Sequence, residues 1–566
     1  MSNNPSFLLS TIVTSILLRI TAPTIAQIPP VPNPNRDRIP QPQPLPSPLP
    51  TKPPVLTPPE TTPNPTPGSD VEIAVTKVEV TGSTVFKPEE LAKLTQGVEG
   101  KSVKLKDLQA VADSITALYL DRGYITSRAV LGEQAIVKGL VKIQILEGSL
   151  ETLEIDGLKR LNKNYVESRV RLGLKIPLNK NQLEDQLQLL KSDALLESVE
   201  ASLRPGSGVG KSILSLRVKE SNPIAGNISI DNYSSPSVGS ERFGGSLTYR
   251  NVTGLGDELS AAYNRSFPGG SNALDFSYRV PVNAMNGTVQ LRVAPSNSKV
   301  IEKPFDSLDI FSTTDLYEVS YRQPLIRTPR EEFALSVAFA VQNGRTTISG
   351  LPLSIPGSGT DIDGRGRTRI LKFGQDYLKR DTQGAWALRS QFSLGLNAFD
   401  ATDGPKPNGQ FFSWLGQVQR VQRLGANQLL IAQGDVQLAS DALLPSQQFV
   451  IGGGQSVRGY RQNLRSGDNG IRLSLENRIA IQRNELGNPI FQLAPFVDAG
   501  WVWNQSNNTA QLANETFLAS AGLGIIWEPI PRMLVRVDYA IPLIYNSDRK
   551  ENAQDRGLNF SIGYSF

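Results

Sequence analysis

Two periods of hydrophobic alternation divide the chain. Between residues 71 and 221 apolar positions recur at helical spacing, bracketed by short alternating runs, whereas from residue 222 to the C-terminus a period of two repeats in segment after segment. In the first region residues 75–80 alternate as a strand. Residues 88–94 and 104–120 then carry helical spacing through Leu105, Leu108, Val111, Ile115 and Leu118, and residues 129–131 and 140–146 return to strands. The same order of strand, helix, helix, strand, strand recurs in residues 153–155, 164–172, 182–192, 199–203 and 213–218. This is an internal repeat of roughly 70 residues, and it predicts two compact α+β units, at 71–148 and 149–221.

In the second region Leu274, Phe276, Tyr278 and Val280 alternate with Asp275, Ser277 and Arg279; Phe333, Leu335, Val337, Phe339 and Val341 alternate with Ala and Ser. Ile471, Leu473 and Leu475 oppose Arg472, Ser474 and Glu476, and Val535, Val537, Tyr539 and Ile541 oppose Arg536, Asp538 and Ala540. A soluble sandwich and a membrane barrel share this pattern. The barrel is favoured by segments of about ten residues, the length a tilted membrane strand needs. It is favoured too by aromatics near segment ends (Trp501, Trp503, Tyr539, Tyr564), and by a last segment that alternates through Leu558, Phe560, Ile562 and Tyr564 to Phe566. Residues 222–566 are therefore expected to form a transmembrane antiparallel β-barrel. Its ring must close, because unpaired backbone groups in lipid cost several kcal/mol each.

The N-terminal region fits this destination. An apolar stretch between residues 7 and 18, followed by Thr24-Ile25-Ala26 before Gln27, reads as a signal peptide over 1–26, although Arg19 interrupts it and no Lys or Arg precedes it. No later stretch approaches ~18 consecutive apolar residues, so the expected crossing is by strands. Residues 27–70 hold 17 of the chain's 40 prolines, with almost nothing large and apolar to bury; they read as an extended linker.

Composition narrows the chemistry. With no Cys and no His, the chain lacks thiol nucleophiles, zinc-type ligand sets and imidazole acid/base chemistry. We expect no enzyme activity, no metal and no cofactor. The net charge of +5 is dispersed, without a Lys/Arg block, so nucleic acid is not expected as a partner. Gly208-Val209-Gly210-Lys211-Ser212 imitates the end of a phosphate-binding loop. Pro205 stands where that motif needs Gly, and the residues after Ser212 alternate like a strand, so nucleotide binding is not expected either.

Several segments resemble one family, the two-partner secretion transporters that export hemolysins and filamentous hemagglutinins across the outer membrane. Gly123-Tyr124-Ile125-Thr126-Ser127-Arg128-Ala129, Gly139 and Glu147-Gly148 resemble its first POTRA domain; Pro177-Leu178-Asn179, Leu183-Glu184, Leu189-Leu190 and Pro205-Gly206 resemble its second. Asp231-Asn232-Tyr233, Gly254-Leu255-Gly256-Asp257 and Tyr278-Arg279-Val280-Pro281 resemble the start of its barrel. The stretch from Phe449 through Gly452-Gly453-Gly454 to Val457-Arg458-Gly459-Tyr460 resembles the sixth extracellular loop of the wider superfamily, which folds back into the lumen. The resemblance implies sixteen strands, POTRA domains in the periplasm, and a large secreted β-helix-like partner protein. It also implies an Arg458 that contacts acids on the inner wall. Asp498, in Phe496-Val497-Asp498-Ala499-Gly500, is the first candidate and Glu476 the second. Parity supports both independently, since they fall opposite outward Leu473, Leu475, Val497 and Trp501.

Partner capture is expected at the first unit's strand edge and groove, at Leu118, Tyr124, Arg128, Val130 and Leu131, by addition of an extended segment to an exposed strand. Phe566 resembles a terminal sorting signal, which implies outer-membrane lipid and the barrel assembly machinery as partners. Some members plug the pore with an N-terminal helix; here the corresponding region is the Pro-rich linker. The runner-up function is assembly of other outer-membrane barrels, and a third is a diffusion porin.

Overall fold

The computed structural model describes residues 56–57, 71–352, 359–508, 510, 512 and 515–566. The expected signal peptide lies outside the described residues, as does the Pro-rich stretch apart from Leu56–Thr57.

The first unit packs helices Pro88–Thr95 and Leu105–Asp121 on a three-stranded sheet ordered Lys77–Thr81, Leu140–Leu146, Arg128–Val130. The longer helix starts where Asp107 accepts the Lys104 N–H (2.9 Å) and buries Leu108, Val111, Ala112, Ile115 and Tyr119, one face at helical spacing. Each fully buried Leu or Ile contributes about 1.5–3 kcal/mol. A short pairing of Glu72–Val75 with Lys101–Lys104 was not legible, because Lys101-Ser102-Val103-Lys104 is too short and polar to register as a strand.

The second unit repeats the plan, with Ser149–Asp156, Lys211–Glu220 and Leu196–Pro205 under helices Lys163–Arg171 and Lys180–Lys191. Leu183, Leu187 and Leu190 pack against Leu214 and Leu216 in its core. Leu56–Thr57 runs parallel to the outer edge of Leu196–Pro205. The Gly-Lys-Ser segment sits in the hairpin between two of these strands, with the Lys211 N–H on the Gly208 carbonyl (3.0 Å) and Ser212 already in strand.

Sixteen antiparallel strands then close into a barrel. The first and last, Ile224–Asp231 and Leu558–Ser565, have 8 residues each, while the sixth and seventh, Ile310–Arg327 and Glu331–Ile348, have 18. Those two exceed the expected ten: at ~3.3 Å per residue they reach roughly 60 Å, well past a ~30 Å hydrocarbon layer, and their upper ends stand above the membrane. Among the described residues the two-residue piece Leu351–Pro352 pairs with the seventh strand alone, and the ring runs from the seventh strand directly to the eighth. Closure comes from five residue pairs, Asn227–Asp231 against Ser561–Ser565. Phe566 extends this seam, exchanging N–H···O=C bonds of 2.9 and 3.1 Å with Gly226.

The second unit is fastened to the turns after barrel strands 2, 4 and 6. Arg160 donates to the Asn251 carbonyl (2.7 Å), the Asn162 N–H to that of Gly254 (2.9 Å), Arg169 to Asn286 (3.1 Å), and Arg330 to both oxygens of Asp185 (2.8 and 2.6 Å). Gly256, at φ +80°, lies so close to the Tyr165 ring that a Cβ there would come within 2.3 Å of it. Glu220 completes the junction by accepting the N–H groups of Lys159, Arg160 and Leu161 (2.7, 2.9 and 2.9 Å).

Candidate functional site

Residues 440–468, between the eleventh strand Gln428–Ala439 and the twelfth, Asn469–Arg483, fold into the barrel around a small hairpin of Phe449–Ile451 with Arg465–Gly467. An apolar foot fixes the loop: Ile451, Val457 and Tyr460 pack on Val502 and Leu518 of the wall. The Tyr460 hydroxyl donates to the Ala519 carbonyl (2.7 Å) and accepts the Ile544 N–H (3.2 Å). Gly459, at φ +89°, brings the backbone against the fifteenth strand, where a Cβ would lie 3.0 Å from that of Ala540.

This foot delivers Arg458 to the acids that parity placed inside. Its Nε and Nη2 donate to the two oxygens of Asp498 (2.7 and 2.8 Å), its backbone N–H reaches the same carboxylate (3.1 Å), and its Nη1 donates to Glu476 (2.7 Å). A guanidinium fits such a two-pronged contact and an ammonium does not. The plane of Arg458 also covers the Phe496 ring, with 3.3 Å from its central carbon to the ring centroid. Asp498 is 0% exposed and accepts in addition the Ser474 hydroxyl (2.7 Å).

Sequence reasoning missed the rest of the cluster. Arg536 bridges Glu476 (2.6 Å) and Asp538 (2.7 Å), Arg478 holds the other oxygen of Glu476 (2.7 Å), and Asp538 stands 3.8 Å from Arg458. Three cations, Arg458, Arg478 and Arg536, thus meet three carboxylates, Glu476, Asp498 and Asp538, in a neutral group that satisfies the main requirement for burying charge. The inward parity of Arg536 and Asp538 was the available signal. Parity gives the face, not which distant strand lies across the lumen.

The residues expected to capture a partner are more dispersed. Arg128–Val130 is an edge strand, paired on one side only, and Leu131 follows it outside the strand. The Ala129 N–H is taken by the Thr116 hydroxyl of the neighbouring helix (2.9 Å), and the Arg128 guanidinium turns back onto the carbonyls of Ile125 and Ser127 (3.0 and 2.8 Å). Leu118 and Tyr124 pack partly buried against the first unit's core, Tyr124 edge-on to Tyr119. Burial pushes the Tyr119 hydroxyl up to about 12, so it remains a neutral donor beside Glu147. Phe566, distant from both places, lies outward over Gly226.

The profile of the family described as "Haemolysin secretion/activation protein ShlB/FhaC/HecB" matches residues 210–526, more than half of the chain. The chain belongs to that family. A ShlB-type POTRA domain matches residues 73–148. Among relatives, the chain is 26% identical over 450 residues to the outer membrane transporter CdiB of Escherichia coli O6:K15:H31, covering 76% of this chain and 72% of that protein. It is 23% identical over 489 residues to the heme/hemopexin transporter protein HuxB of Haemophilus influenzae strain 86-028NP, covering 82% of each. The fold matches that of CdiB from Escherichia coli with a TM-score of 0.67 at 22% identity, over 89% of this chain and 93% of that one. It matches BamA from Haemophilus ducreyi with a TM-score of 0.52 at 16% identity, over 88% and 100%. Family and fold together make this an outer-membrane protein with its POTRA domains in the periplasm.

Proposed function

We propose that this chain exports a partner protein, taking an unfolded polypeptide from the periplasm through its POTRA domains and passing it through the barrel to the cell surface. The observation that carries this is a loop folded into the lumen with Arg458 buried against two wall carboxylates, within a closed ring to which the second of two periplasmic units is fastened. Membership in a secretion family, with relatives named as transporters, supports it. In this mechanism Arg458 is the latch, and Asp498 and Glu476 are its catch. Export requires the loop to leave the lumen, so the Arg458 contacts break and re-form in each cycle. An extended cargo segment adds to the Arg128–Val130 edge, displacing the Thr116 hydroxyl from the Ala129 N–H, and folding outside draws the chain through.

Replacing Arg458 with Ala leaves a buried Asp498 without its cation, a change worth about 3–5 kcal/mol for a broken buried pair. The expected outcome is a heat-modifiable, membrane-inserted barrel with secretion reduced at least several-fold, read as partner protein in the medium. Unchanged secretion would sink the latch. Deleting the gene should remove one surface protein. Depletion of many outer-membrane barrels instead would favour a role in barrel assembly.

A further inference from the structure

Arg458 is not the loop's only buried arginine. Three residues further on, Arg461 makes a second two-pronged contact, from Nε and Nη2 to the two oxygens of Asp555 (2.6 and 2.7 Å), while its Nη1 donates to Glu302 (2.9 Å). These acids come from surface loops: Glu302 lies between the fifth and sixth strands and Asp555 between the fifteenth and sixteenth. Asp555 is 3% exposed and Arg461 9%. Lys550 pairs with the same oxygen of Glu302 (3.1 Å), so Arg461 and Lys550 balance Glu302 and Asp555 in a second neutral group.

The neighbouring residues tie this group to the barrel's seam. Gln554 accepts the Gln462 N–H (2.8 Å) and donates to the carbonyls of Asn232 and Ser234, just beyond the end of the first strand. Asn232 in turn bonds the last strand, donating to the Leu558 carbonyl (2.9 Å) and accepting the Phe560 N–H (2.9 Å). Closure by five residue pairs is the shortest pairing in the ring, and above Asp231 side chains help to hold it together. Loop 440–468, the last surface loop and the seam thus form one hydrogen-bonded chain.

We propose that Arg461 is a second positioning residue, an outer clasp that holds the surface end of the pore shut separately from Arg458; this rests on the reading that loop 440–468 blocks the lumen. The two arginines face different partners at different depths, one on wall strands and one on surface loops. Releasing one leaves the other's contacts in place. Removing Arg461 leaves Asp555 with the Asn552 N–H (3.1 Å) as its remaining described side-chain partner, so the last surface loop loosens while the Arg458 cluster persists.

The test is single-channel recording of the full-length protein in planar bilayers, comparing the parent with Arg461→Ala, Asp555→Ala, Arg458→Ala and the paired combinations. Arg461→Ala is expected to raise the open fraction about tenfold, the size of effect that follows loss of a buried, charge-assisted contact. Asp555→Ala should match it, and Arg461→Ala/Asp555→Ala should add little more, since both remove one contact. Arg461→Ala/Arg458→Ala should approach the product of the single effects. An Arg461→Ala channel as quiet as the parent, beside a leaky Arg458→Ala, would overturn the clasp and leave the loop's blocking role standing. Quiet records from both would overturn the blocking role itself. Should Arg461→Ala fail to assemble, Arg461→Lys keeps the charge but loses the fork, and must leak more than the parent for the clasp to hold.

Discussion

Within the lumen cluster Asp498 and Glu476 divide the work unequally. Asp498 receives three hydrogen bonds from Arg458 and Glu476 receives one, but Glu476 also anchors Arg478 and Arg536. Asp498→Ala should therefore free the loop with little effect on the wall, whereas Glu476→Ala should loosen the wall, leaving most of the loop's grip intact. Limited proteolysis of the loop in intact cells, set beside the thermal stability of the purified barrel, separates the two. The larger proteolysis increase is expected for Asp498→Ala and the larger stability loss for Glu476→Ala; the reverse order would refute this division. The acids themselves were legible because a strand's period of two assigns every side chain a face. Arg536 and Phe496 were not, since their contacts depend on how the ring curves and what the loop brings with it.

At the level of elements, the junction between the second periplasmic unit and the barrel depends on close approach more than on charge. Arg330 is more than half exposed in its pair with Asp185, and such pairs contribute at most about 1 kcal/mol. Gly256 is different, because any side chain meets the Tyr165 ring and its positive φ is strained for other residues. Gly256→Ala should cost about 1–3 kcal/mol of docking, seen as faster protease cleavage between the second unit and the barrel, while Asp185→Ala should change that rate little. Glu220 adds a pH term. Partial burial pushes its carboxyl up, but the N–H groups of Leu161, Lys159 and Arg160 outweigh this and hold it below the ordinary carboxylate range. With the folded value depressed, its contribution is complete above the unfolded value, about 4.3, and is lost as pH falls through the folded one. Amide exchange at residues 159–161, corrected for intrinsic rates, should accelerate on acidification below about pH 4. In Glu220→Gln that acceleration should be absent.

On the scale of the whole molecule, the α+β repeat and the barrel were legible because helical and two-residue periods are hard to confuse over long segments. The overshoot of the sixth and seventh strands was not, since above the lipid their outward positions turn polar (Thr313 and Asp315; Asn343, Arg345 and Thr347) and the hydrophobic alternation that marks a strand stops. Nor did periodicity indicate that Phe566 would meet Gly226 and extend the seam. Removing Phe566 should lower the amount of heat-modifiable barrel in the outer membrane, measured against total protein; a normal yield would deny it a part in assembly. The fastening of the second unit has a last consequence. Its hydrogen bonds fall on the turns after strands 2, 4 and 6, whereas Arg458 is gripped by strands 12 and 13, with Asp538 of strand 15 beside it. The second unit is thus fastened on one side of the sixteen-strand ring, and the carboxylates that grip Arg458 stand on the opposite side. A polypeptide arriving there brings its own lysines and arginines into competition with Arg458, so a basic peptide supplied from the periplasmic face should open the channel more often than its neutral counterpart.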